Sequence, residues 1–89
     1  MKFDEIWAYS IDRIYEYFVA CGAERCQEVM GFVLDGVQIR LTSMPDRKVG
    51  QLSFPQTRVV MEAESNMIPD ENVERVHHAF YLNFLSGGA

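Results

Sequence analysis

The chain has 89 residues, 48% of them hydrophobic, and its thirteen acidic and eight basic side chains leave a formal net charge of −5. That length holds one core, of a size that buries roughly 60–65% of its unfolded surface, so residues 1–89 read as a single small domain. The acidic balance repels a phosphate backbone, no apolar run approaches the roughly 18–20 residues that cross a bilayer, and the opening MKFDEIWAYS lacks the plan of a signal peptide; the expectation is an acidic cytoplasmic protein with no nucleic-acid or membrane partner.

Residues 3–21 repeat apolar side chains at helical spacing. Phe3, Trp7, Ile14, Phe18 and Cys21 fall on one stripe, with Glu5, Asp12 and Glu16 opposite. The reading is one long first helix, closed by Gly22 in the left-handed conformation. Two cysteines, Cys21 and Cys26, are present. A chain with this apolar fraction does not need a disulfide to fold, and a reducing compartment suits them.

The stretch VMGFVLDGVQIRL sets Asp35-Gly36 between two β-prone runs and predicts a two-residue hairpin turn. With that loop, Leu34 faces Val37, Phe32 faces Ile39 and Met30 faces Leu41, so six large apolar side chains share the core face. The other face takes Val33 opposite Gln38, Gly31 opposite Arg40 and Val29 opposite Thr42. Residues 43–48, with Pro45-Asp46, read as a turn. Residues 49–54 read as a third strand with Leu52 and Phe54 inward, stopped by Pro55. Residues 57–64 read as a fourth, with Val59, Met61 and Ala63 inward and Arg58, Val60 and Glu62 outward. Pro69-Asp70-Glu71 marks a helix start, and that helix runs to about Leu85.

The predicted fold class is α+β: a two-layer sandwich of helix, four-stranded antiparallel meander and helix, with both helices on one sheet face. Internal repeats, glycine-rich phosphate loops, nucleophile elbows and paired C-x-x-C motifs are all lacking, and no catalytic residue, metal ligand or cofactor is assigned.

The adjacent histidines of NVERVHHAFYLNFL point about 100° apart on a helix, which makes them poor joint ligands for one ion with Cys21 and Cys26. His77 lies beside the stripe of Val73, Val76, Phe80 and Phe84. Its structural reading is an inward imidazole satisfied by a hydrogen bond; its functional reading is a general base, with Cys21 as the nucleophile of a cysteine-histidine enzyme. His78 turns the other way, near Glu74, and shares its side with Leu82 and Leu85.

Two surfaces are thus candidate contacts with a protein partner or a second copy in a homodimer. One is the outer sheet face, carrying Val29, Val33, Arg40, Arg58 and Val60; the other is the strip His78, Leu82 and Leu85. Each also has a plain reading as solvated surface. The alternative function is small-molecule binding in an aromatic, acidic pocket between helices and sheet, lined by Trp7, Tyr17, His77 and Tyr81, although the same rings serve equally as core.

Overall fold

A computed structural model of the protein describes residues 1–26 and 30–87, with their side chains as far as residue 85. The elements in chain order are β1 (Lys2–Trp7), α1 (Ile11–Ala20), β2 (Glu24–Cys26), β3 (Gly31–Leu34), β4 (Val37–Val49), β5 (Leu52–Ala63) and α2 (Asp70–Gly87). The strands form one antiparallel sheet in the order β1-β5-β4-β3-β2. The α+β class stands, but the sheet has five strands where four are expected.

The first correction lies at the start of the chain. Residues 3–7 are not the opening of a helix but part of β1, which pairs with β5 so that Phe3 faces Met61, Glu5 faces Val59 and Trp7 faces Thr57. Positions i and i+4 share a face in a helix and in a strand alike, so Phe3 and Trp7 satisfy both periods. The helix begins only after Ser10, whose Oγ accepts the Arg13 N–H at 3.3 Å as an N-cap. α1 ends as anticipated, with Gly22 at φ +77°. Cys21 is exposed, however, and only Ile14 and Phe18 of the expected stripe are fully buried.

The central hairpin forms around Asp35 (φ +51°) and Gly36 (φ +77°), whose paired left-handed conformations match the twist of the flanking strands. Leu34 faces Val37 and Phe32 faces Ile39 as expected. Met30 falls one residue before β3, and its side chain stays exposed rather than joining the core.

A second correction concerns residues 43–56. The expected turn at residues 43–48 is a continuation of β4, and Pro55 does not stop a strand: β5 runs through it to Ala63. A register shift between Met44 and Arg47 absorbs Pro45-Asp46. The chain reverses at Gly50-Gln51, with Val49 facing Leu52 and Gly50 at φ +62°. Beyond Trp7↔Thr57 on one side and Gly31↔Arg40 on the other, neither β1 nor β3 pairs with this hairpin. It forms a two-stranded arm that outruns the rest of the sheet, and the molecule's longest extent is 47 Å against 28 and 23 Å for the others.

The continuous β5 also reverses the expected side of two residues. Alternation that puts Thr57, Val59 and Met61 inward puts Leu52 and Phe54 on the side of Arg58 and Val60. Both are exposed, at 62% and 41%.

Both helices cover the same sheet face. Ile14 and Phe18 of α1 and Val73, Val76, Phe80 and Phe84 of α2 form one core with Phe32, Val37, Ile39, Leu41, Val59 and Met61. Phe18 and Phe80 stack with centroids 5.6 Å apart, which joins the two helices directly. Thr57 is the buried polar residue of this layer, and its Oγ1 donates to the Tyr9 carbonyl at 2.8 Å. The Tyr9 hydroxyl in turn donates to the Phe84 carbonyl at 2.6 Å, fastening the loop before α1 to α2.

Candidate functional site

Two surfaces and one side-chain cluster follow from this layout. On the sheet face that carries no helix, alternation lines up Asp4, Val60, Arg40 and Gly31 across four strands. Arg58 and Thr42 lie one step along in one direction, and Glu62, Gln38 and Val33 in the other. The predicted contact residues Val33, Arg40, Arg58 and Val60 therefore share one face. Val33 and Val60 are half-buried by their neighbours, while Arg40 is exposed. Val29, the fifth, lies outside the described residues.

Arg58 has a partner within the chain. Its Nε and Nη2 donate to the two carboxylate oxygens of Asp4 at 2.8 and 2.5 Å. This two-point contact holds the Asp4 carboxyl below its ordinary range and the guanidinium above its own. Arg58 thus orders the face from within, whereas no ion pair to Arg40 is present among the described residues. Ile6 adds an apolar group to the same face, opposite Arg58 and 55% exposed.

The second candidate surface is on the far side of the molecule, because α2 turns its buried stripe toward the sheet. His78, Leu82 and Leu85 lie on the side of α2 away from that stripe and are exposed. No ion pair joins His78 to Glu74 among the described residues.

The cluster forms where β1 meets α2. His77 is largely buried; its Nε2 lies 2.6 Å from Glu5 Oε1, and its ring stacks on Phe3 with centroids 3.7 Å apart and planes 4° from parallel. The same Glu5 oxygen accepts the Trp7 indole N–H at 3.3 Å. Trp7 meets Phe80 edge-on at 5.1 Å and Tyr81 at 5.8 Å. Of the four predicted pocket residues, Trp7 and His77 meet Glu5, and Tyr81 meets the rings of both. Tyr17 packs instead on Phe80 and Phe84. Burial, together with a hydrogen bond to the Cys21 thiol, raises the Tyr17 phenol above its ordinary range. Among the described residues these rings fill the space between them and leave no cavity.

Phe3, Asp4, Glu5 and Ile6 are site residues that the helical reading of the N-terminus conceals. Their signal is present but faint: Ser10 with Asp12 two residues later marks a helix start, and hence a separate element before it. Alternation in KFDEIW is disguised because the inward face itself carries a carboxylate, the one that receives His77.

The chain matches no family model and no curated protein sequence, so the arrangement of these surfaces carries the functional argument by itself.

Proposed function

We propose that the protein is a non-enzymatic interaction domain that assembles as a homodimer and binds a macromolecular partner. The contact is made through the outer sheet face or through the His78, Leu82 and Leu85 side of α2. One observation carries the reading: among the described residues no element covers the outer sheet face, where Ile6, Val33 and Val60 are set among Arg40, Arg58 and short polar groups. Arginine beside flat apolar surface is the composition of a protein contact.

Arg40→Glu combined with Val33→Asp should leave the far-UV spectrum unchanged and abolish either the dimer mass in light scattering or the capture of the partner. Leu82→Ser with Leu85→Ser is the matching variant for the helix side. A protein that keeps its wild-type mass and partners with both pairs changed is not an interaction domain of this design.

A second reading, small-molecule binding, is favoured by the cluster around Glu5. A carboxylate in contact with Trp7 and His77, whose rings Tyr81 also meets, is a combination that attracts a cationic or flat aromatic ligand. A thermal-shift screen against metals, nucleotides and cationic aromatics should then give a saturable rise for one class. A flat response to all of them counts against it.

A further inference from the structure

The far end of the β4-β5 arm differs from the rest of the chain in composition. All eight residues from Arg47 to Phe54 are exposed, and they include two cations, three apolar side chains and no carboxylate. Val49 is 50% exposed, Leu52 62% and Phe54 41%. The other six cations and all thirteen carboxylates belong to the rest of the chain. Asp46, the carboxylate next to the tip, accepts the Ser53 hydroxyl at 2.9 Å, and no ion pair to Arg47 or Lys48 is present among the described residues. The net charge of −5, which speaks against an anionic surface for the chain as a whole, is thus a property of the body and not of the tip.

The length of the arm keeps the two apart. Thr57 is the last β5 residue paired with β1, and Leu52 stands roughly 16 Å farther out at the rise of an extended strand. Fields in physiological salt decay over about 8 Å, so a surface touched by the tip lies about two screening lengths beyond the end of β1.

The arrangement around the ribbon selects the kind of surface. Arg47 faces Phe54 and Val49 faces Leu52 on one side, whereas Lys48 faces Ser53 on the other. A flat partner laid along the arm would meet only one of the two cations. A medium entered end-on surrounds the ribbon and meets both, and it meets them in order: Val49 and Leu52 beside the turn, then Lys48, then Arg47 with Phe54. Apolar groups in front with cations just behind match a lipid surface, where acyl chains lie beneath an anionic headgroup layer. The turn is open enough to lead, since a Cβ at Gly50 would meet nothing within 4 Å.

We infer that the tip of the arm docks on an anionic lipid surface, with Val49, Leu52 and Phe54 at the boundary of headgroups and acyl chains and Arg47 and Lys48 on the lipid phosphates. Interfacial burial of about 5–10 Å is the reach of the last two or three residue pairs of the ribbon. The aliphatic stems of the two cations lie along the apolar layer while their charged ends stay among the headgroups. The contact is peripheral, because the ribbon's open edges carry backbone groups that hold it at the hydrated boundary; no helix of the described residues is long and apolar enough to cross a membrane. An apolar and a basic signal together give a reversible attachment that neither gives alone. The inference goes beyond the protein contact proposed above and does not depend on it.

Vesicle sedimentation tests it. The wild type should bind vesicles of phosphatidylcholine containing about 30% phosphatidylserine, come off them as salt is added, and leave pure phosphatidylcholine vesicles unoccupied. Arg47→Gln with Lys48→Gln should weaken binding on the order of thirtyfold, about fivefold for each charge. Leu52→Ser with Phe54→Ser, which leaves the charge unchanged, should weaken it about tenfold or more. Arg40→Gln removes one cation from the outer sheet face of the body and should change binding by less than about twofold. Circular dichroism matching the wild type shows that each variant is folded. Leu52→Trp reports depth: lipids brominated on their acyl chains should quench the added indole, while Trp7, the single tryptophan of the wild type, stays unquenched.

A wild type that ignores the anionic vesicles overturns the inference and leaves the tip's cations to an acidic protein. Tip variants that bind as well as the wild type, or a loss in Arg40→Gln as large as theirs, overturn it as well and move the contact to the body. An indole at position 52 that the brominated chains do not quench also overturns it, since binding is then adsorption by charge alone.

Discussion

Single residues separate conformational strain from packing most clearly at two glycines. Gly22 and Gly36 share φ +77°, which a side chain adopts at a cost of about 1–2 kcal/mol. A Cβ at Gly22 would meet nothing within 4 Å, whereas at Gly36 it would lie 2.5 Å from Ile68 Cδ1 and 2.9 Å from Cγ1. Gly22→Ala should therefore cost about 1 kcal/mol in urea denaturation and Gly36→Ala about 2–4 kcal/mol. In an Ile68→Ala background the second penalty should fall toward the first; an unchanged penalty would mean that the turn conformation alone accounts for it. Asp4 gives a residue-scale prediction about charge. Its carboxyl is held below the ordinary value of 3.8, first by the hydrogen bond from Arg58. A lowered folded-state value stabilises above the unfolded one and is lost as pH falls through the folded one, so the effect is confined to acid. In Arg58→Gln the Asp4 carboxyl carbon should titrate at higher pH by NMR, while neutral-pH stability changes little because the pair is exposed.

Elements are where the amino-acid sequence is most and least readable. Asp35-Gly36 defines a hairpin by local chemistry, and the stripe Val73, Val76, Phe80, Phe84 defines α2, because each signal is complete within a few residues. The β4-β5 arm escapes such reading for the opposite reason. Pro45 and Pro55 look like strand breaks, but a proline breaks a ladder only where its missing N–H is needed. In an arm with two open edges the bond can be dispensed with, and the register shift takes up the irregularity. β1 is hidden differently, by a spacing that fits both periods. Val33 and Arg40 are legible on the outer face from the hairpin register and Arg58 and Val60 from alternation in β5, whereas Asp4 and Ile6 are hidden with β1 and Glu5 beside His77 depends on two elements 72 residues apart in sequence. The independence of the arm leads to a deletion experiment. Met44 faces Gln56, so residues 45–55 can be replaced by an Asn-Gly turn that closes the shortened hairpin. No residue between them belongs to the buried core. The shortened monomer should keep its stability to within about 1 kcal/mol, measured by urea unfolding at a concentration where the full chain is also monomeric. A larger loss would mean that the arm folds back on the body.

At the scale of the molecule the two helices and the edge strand meet in one aromatic group. Phe80 stacks on Phe18 of α1, lies edge-on to Trp7 of β1 and contacts Phe84 one turn on in α2. With these contacts shared, α1 cannot loosen without exposing rings that α2 and β1 also use, and the body should unfold as one unit. Trp7 is the single tryptophan, so its fluorescence reports the seam between β1 and α2 while far-UV circular dichroism reports both helices. The two urea transitions should coincide. Total stability for a domain of this kind is roughly 5–15 kcal/mol, and removing a buried phenylalanine ring costs about 3–5 kcal/mol. Phe80→Ala should therefore spend a large part of that margin and lower both midpoints together, whereas Phe80→Leu, which refills most of the space, should lower them much less. A fluorescence midpoint that fell well before the helical signal in Phe80→Ala would show that β1 detaches first, with α1 and the other strands holding a separate core. Coincident transitions would mean that the outer sheet face, β1 included, is presented by a single rigid body, as a contact surface shared across its strands requires.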